Sequence, residues 1–208
     1  MLCGAGIEAA LARDGHVRCA VEEGATAELL RRLGDIVDET AVRQRSGATT
    51  YLAGRYAVPL HTDHPEADLV AWRCDAQDPR DGASVLADGH AILRAMGAGA
   101  HALRGVELRV PAQLPRQSLD RGAVWDGRRL YYAPWYPVLR ASGDGRRALR
   151  TFESLLAMGF GHRRVRLAAG ELLVVDNGRW LHGRDRLSKG SGRFLRRYWL
   201  RRRARRLT

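Results

Sequence analysis

From about Tyr51 onward the chain is cut into short strand-like runs by glycine and charged turn residues, and this punctuation constrains the fold more than any other feature. The runs are 57–62, 68–74, 84–87, 106–110, 163–167, 171–175, 179–182 and 193–200, with turn residues such as Asp78, Pro79, Asp81 and Gly82 between them. Many short strands at close spacing predict an antiparallel sandwich or barrel. Before them the pattern predicts helices over 7–13, closed by Gly15, and over 26–33, closed by Gly34, with a short strand over 16–21 between them. Two further helices are expected, over 89–96 and 146–158. The expected layout is mainly β with flanking α in a single domain. Residues 1–50 form outer helices and first strands, 51–200 the core, and 201–208 a basic tail.

A chain of 208 residues, 45% of them hydrophobic, can bury a sizeable core without disulfides. Cys3, Cys19 and Cys74 form neither a CxxC pair nor an even framework, which fits a reduced, cytoplasmic setting. The first twenty residues carry Glu8 and Asp14 and no long apolar run, so neither a signal peptide nor a membrane span is expected. The net charge of +12 is almost wholly arginine, Lys189 being the only lysine, and it is densest near the C-terminus. A positive field of this kind favours anionic ligands. A basic terminus is more often solvated than a binding site.

His61-Thr62-Asp63 sets a histidine and a carboxylate two apart, which on a strand puts both on one face. Two imidazoles and one carboxylate on one face of an octahedron are the ligand set of non-haem Fe(II) oxygenases. Alone the pair is a weak signal, since with seven histidines it arises by chance in roughly every second such chain. His64 competes with it but has the opposite parity. A second histidine, His182, lies in Asp176-Asn177-Gly178-Arg179-Trp180-Leu181-His182-Gly183-Arg184, after an apolar strand. In the last run Arg193, Leu195, Arg197 and Trp199 share one face. If that face is inward, two guanidiniums need an anion, because an unpaired buried charge is very costly. If it is outward, both are solvated.

Together these residues resemble the taurine dioxygenase and clavaminate-synthase-like group of Fe(II)/2-oxoglutarate oxygenases. The resemblance rests on His61-Thr62-Asp63, on the DNxRxxHGR stretch at 176–184, and on an arginine eleven residues past His182. It implies a double-stranded β-helix, a cupin-like jelly-roll core, with iron held by His61, Asp63 and His182. It also implies 2-oxoglutarate and O2 as cosubstrates. Arg193 would hold the distal carboxylate of 2-oxoglutarate, and Arg197 would sit near the cosubstrate or the substrate. The family's Gly-Gly-x-Thr is Asp81-Gly82-Ala83-Ser84 here, so Ser84 keeps the hydroxyl while the first glycine is lost. The chain is short for the family, which implies trimmed lid insertions. The implied reaction is hydroxylation of an unactivated C–H bond with release of succinate and CO2. Asp63 favours it over halogenation, because related halogenases lack this carboxylate.

The expected substrate is a small acidic or amino-acid-derived metabolite, anionic or zwitterionic, in specialised metabolism. Neither nucleic acid nor membrane is an expected partner. Arg129, Tyr131, Tyr132, Trp135 and Tyr136 form an aromatic cluster that either lines a pocket or packs the core, and Thr49, Thr50 and Tyr51 precede the first ligands. Two rival readings remain. One keeps the chemistry on a nucleic-acid or carrier-bound substrate. The other is a non-catalytic basic β-sandwich binding module.

Overall fold

The computed structural model describes residues 4–203 except Ser46, Thr49, Pro115 and Arg116, so Cys3, Thr49 and the tail beyond Arg203 lie outside the described residues. Helix α1 (Gly4–Asp14), strand β1 (His16–Ala20), helix α2 (Thr26–Leu33) and strand β2 (Asp35–Arg43) come first. Next are β3 (Val58–His61), β4 (Leu69–Ala76), β5 (Ser84–Asp88) and α3 (Gly89–Met96), followed by a 3-10 segment (Gly97–Gly105). Then come β6 (Glu107–Arg109), β7 (Arg121–Ala123), β8 (Val138–Arg140) and α4 (Gly143–Ala157). The chain closes with β9 (His162–Val165), β10 (Glu171–Asp176), β11 (Trp180–Arg184) and β12 (Phe194–Arg201).

Two antiparallel sheets form the sandwich, one in the order β1-β10-β4-β12-β2 and the other β3-β11-β5-β9; β7-β6-β8 make a small third sheet. The apolar strands show why the layers stack this way. In β4, Val70, Trp72 and Cys74 point into the sandwich, while Leu69 and Ala71 point out. In β10, Leu173 and Val175 point in and Leu172 and Val174 out, and in β12 Leu195 and Trp199 point in and Tyr198 and Leu200 out. Period-two alternation with apolar residues on both faces requires a cover on both. On the outside that cover is α1 and α2, through Ile7, Leu11 and Leu30. The second sheet has its own outer cover, with Leu181 and Ala87 packed against α3, α4 and Phe152.

The helix ends follow local chemistry. Asp88 caps α3 by accepting from the backbone N–H groups of His90 and Ala91, and Ser142 caps α4 by accepting from Gly145. Gly15 closes α1 at φ +70°, but Gly34 ends α2 with extended backbone. A side chain at 34 would collide with the Arg201 carbonyl, so glycine is needed there for close approach to β12. The sequence pattern missed β2, the 3-10 segment, β7 and β8. Strand β2 pairs with β12 from Arg43↔Phe194 to Asp35↔Arg201 and forms one edge of the larger sheet. Among the described residues no helix is long and apolar enough to cross a membrane.

Candidate metal centre

His61, Asp63 and His182 converge between the two sheets, each buried, with one potential ligand atom apiece all within 4.8 Å of one another. The histidines are direct cross-strand partners, His182 of β11 opposite His61 of β3, and their rings lie 4.4 Å apart. Asp63 gets there differently from the parity argument. Strand β3 ends at His61, so Thr62 and Asp63 lie in the turn beyond it. That turn is pinned by its backbone. The Thr62 N–H donates to the Tyr132 carbonyl at 2.7 Å, and the Asp63 N–H to Asn177 Oδ1 at 2.8 Å. Asn177, 1% exposed, also donates through Nδ2 to the carbonyls of His64 and Ala67 at 3.1 and 2.9 Å. His64 is turned to other partners, with Nε2 at 2.9 Å from Gln117 Oε1 and Nδ1 accepting from the Glu66 N–H.

The lone pairs show what the group suits. His61 Nδ1 lies 2.9 Å from the Pro59 carbonyl, an acceptor only, so Nδ1 carries the proton and Nε2 is bare. That bare nitrogen faces Asp63 Oδ1 at 3.5 Å, and His182 Nε2 faces Oδ2 at the same distance. Burial would push the Asp63 carboxyl up, but the Arg197 guanidinium, and then His182, outweigh it and hold it well below the usual carboxylate range. Burial, and His61 alongside, push the His182 imidazole down to about 4, so it is neutral near pH 7. Two imidazole Nε2 atoms and an anionic carboxylate facing one another in a buried site fit a cation between them.

An opening leads from the two histidines between the sheets, and three buried arginines line it. Arg193 donates through Nη2 to Ser84 Oγ at 3.3 Å, and its Nε has no partner among the described residues. Burial pulls its guanidinium down to about 10, which leaves it cationic. Gly82 makes room for it at φ +71°, where a side chain would strike Leu187 and the Arg193 Cδ. Arg184 has no carboxylate within ion-pair distance among the described residues; it gathers the carbonyls of Tyr51, Gly54 and Tyr56 at 3.3, 2.8 and 3.0 Å. Arg197 differs from the sequence expectation, because its anion is internal. Nη1 lies 3.1 Å from Asp63 Oδ1 and Nη2 3.7 Å from Asp38 Oδ2.

The aromatic cluster divides. Tyr131 and Tyr132 belong to the outer core of the smaller sheet, and Arg129 pairs with Asp68. Trp135 stands at the site, its ring 4.7 Å from that of His61 and 4.9 Å from Tyr51, which stacks on it. Sequence reasoning passed over Asn177, Trp199 and Asp38 as site residues. Asn177 lay inside the quoted motif, and Trp199 shares the inward parity of Arg197, so both left a readable signal. Asp38 is on the unrecognised β2 and left none.

Three solved structures share this architecture. An asparagine oxygenase in complex with Fe(II), 2S,3S-3-hydroxyasparagine and succinate superposes with a TM-score of 0.74 at 20% identity, over 95% of this chain and 77% of that one. For PvcB, an Fe, alpha-ketoglutarate dependent oxygenase from an isonitrile synthetic pathway, the values are 0.69 and 18%, over 96% and 80%. For the non-heme iron oxygenase OrfP in complex with Fe and alpha-ketoglutaric acid they are 0.68 and 18%, over 93% and 77%. The chain has their fold. The expected jelly-roll core is therefore present, with α1 and α2 outside one sheet and α3 and α4 outside the other. No family model matches the sequence, and no curated protein matches it.

Proposed function

We propose that this chain is a single-domain, non-haem Fe(II)/2-oxoglutarate-dependent oxygenase that hydroxylates an unactivated C–H bond of a small, anionic or zwitterionic, amino-acid-derived metabolite. The observation that carries the reading is that His61 and His182 of the His-Asp-His group line one pocket with a buried guanidinium, Arg193, which has no carboxylate within ion-pair distance among the described residues. A cation at the first and a dicarboxylate reaching the second would satisfy both. The likeness in fold to oxygenases solved with iron, alpha-ketoglutaric acid and succinate supports it.

His61, Asp63 and His182 would hold the iron, and Arg193 with Ser84 the far carboxylate of 2-oxoglutarate. Bound together, iron and 2-oxoglutarate supply the activation of O2 and the oxidation of the C–H bond, with succinate and CO2 as the other products. The protein's own contribution is placement. Asn177 holds the turn that presents Asp63, and the Pro59 carbonyl fixes the His61 tautomer, an outer-shell arrangement that orients metal ligands. Ser84 keeps a hydroxyl proton to donate, because it accepts from Arg193. Trp72, in edge-on contact with His182 at 4.7 Å, and Leu86 keep water from the inner end. Trp135 and Tyr51 form an aromatic shelf beside His61, placed to pack the substrate and to limit its approach.

The test is an anaerobic visible titration of metal-free protein with Fe(II) and then 2-oxoglutarate. A charge-transfer band that saturates at one equivalent, absent from His182→Ala, is the expected result. Succinate formation in the presence of a small acid or amino acid would then identify the substrate class. No band and no retained iron would overturn the proposal.

A further inference from the structure

The Asp63 carboxylate is surrounded more closely than metal ligation alone requires. Trp199 Nε1–H donates to Oδ2 at 2.7 Å, and Arg197 Nη1 donates to Oδ1 at 3.1 Å. The Arg197 guanidinium also lies over the Trp199 ring, 4.5 Å from its centroid, so the two donors support each other. Trp199 is 3% exposed. A carboxylate has about four lone-pair sites. Arg197 Nη1 also reaches Oδ2 at 3.4 Å, so Oδ1 has one donor and Oδ2 two, while His61 Nε2 and His182 Nε2 each lie 3.5 Å from one of the oxygens.

The charges are arranged with equal care. A guanidinium next to a dication site works against the dication by like-charge repulsion. Here the far side of Arg197 meets Asp38, whose carboxylate in turn accepts from the Thr40 hydroxyl at 2.8 Å. The row Asp38, Arg197, Asp63 therefore carries one net negative charge, that of a lone carboxylate. The second donor to Asp63 is an indole, which orients the carboxylate without adding another positive charge.

On this basis we infer that Trp199, with Arg197 and Asp38, is a positioning unit that holds Asp63 in ligating geometry and sets the affinity of the site for a divalent cation. The inference rests on the functional reading above and extends it to residues on β12 and β2 that reach the metal only through Asp63. It also assigns Arg197 mainly to the metal carboxylate and makes its service to a substrate secondary.

The experiment is a Co(II) absorbance titration of the metal-free, full-length protein and its variants, each paired with a thermal melt of the metal-free form. In Trp199→Phe the Co(II) dissociation constant is expected to rise about 10–100-fold, the usual size of an outer-shell loss. In Asp38→Asn it is expected to rise several-fold, through the uncompensated guanidinium. A tryptophan that merely fills space would lower the melting temperature and leave the Co(II) affinity of the folded protein unchanged. Should Trp199→Phe fail to fold, Asp38→Asn carries the test alone, because Asp38 is partly exposed on an edge strand. Parent-like affinity in whichever of these variants folds would overturn the inference and leave the oxygenase reading standing. A parent protein that takes up no Co(II) would overturn both.

Discussion

At the inner end of the pocket both oxygens of Asp63 have a donor, and the turn carrying Asp63 is tied to Asn177 through backbone atoms. At the aromatic shelf beside His61, Tyr51, Trp135 and Tyr136 meet ring to ring, and Tyr51 is 47% exposed. Directional bonds fix a geometry to a few tenths of an ångström, whereas ring packing tolerates substitution and small shifts. The inner end is built to hold one geometry, and the shelf to accept variation.

The comparison can be broken from either side, and the largest effect belongs to the inner end. Asn177→Ala would leave the Asp63 N–H without its partner, at about 1–3 kcal/mol, and would take one donor each from the His64 and Ala67 carbonyls, which keep the Ala67 N–H and Arg129. A large fall in melting temperature together with lost Co(II) binding is expected. A stable, metal-binding Asn177→Ala would show that the turn holds itself. Arg193→Ala should cost about 2–5 kcal/mol of 2-oxoglutarate binding, as for other buried charge contacts. The readout is the 2-oxoglutarate concentration needed for half-maximal charge-transfer absorbance, and an unchanged value would remove Arg193 from the cosubstrate site.

Smaller effects are expected at the aromatic shelf. Trp135→Ala should raise the KM for the substrate while metal and 2-oxoglutarate affinities hold, with stability lower by about 1 kcal/mol. Loss of metal affinity in that variant would mean that the shelf and the inner end are one unit. Arg196→Ala is the smallest change. Arg196 lies on the opposite parity of β12 from Arg193 and pairs with Asp75, a partly exposed ion pair worth about 0.2–1 kcal/mol. Its 2-oxoglutarate requirement should stay at the parent value.

What could be read from the sequence follows the same division. Strands β4, β10 and β12 were legible because both their faces are apolar, and α3 because Asp88 and Gly97 bound it. Strand β2, Asp-Ile-Val-Asp-Glu-Thr-Ala-Val-Arg, was not, because as an edge strand it carries acids where an inner strand carries valine or leucine. The ligands could be proposed from residue type and spacing. The route by which Asp63 arrives could not, since it depends on bonds to residues 132 and 177, far along the chain. The internal anion of Arg197 was hidden for the same reason, Asp38 being on the strand that went unrecognised.

The pairing of His182 with His61 across β11 and β3 has a mechanical consequence. Strand β3 has four residues, sits at the edge of its sheet and, among the described residues, pairs only with β11. A cation held by both histidines would act as an inorganic staple closing a loop of about 120 residues, for which chain entropy alone suggests on the order of 4–5 kcal/mol. Amide exchange along β3 should then slow sharply when metal is added. A seam that rests on one short edge strand would then be among the firmest in the sandwich.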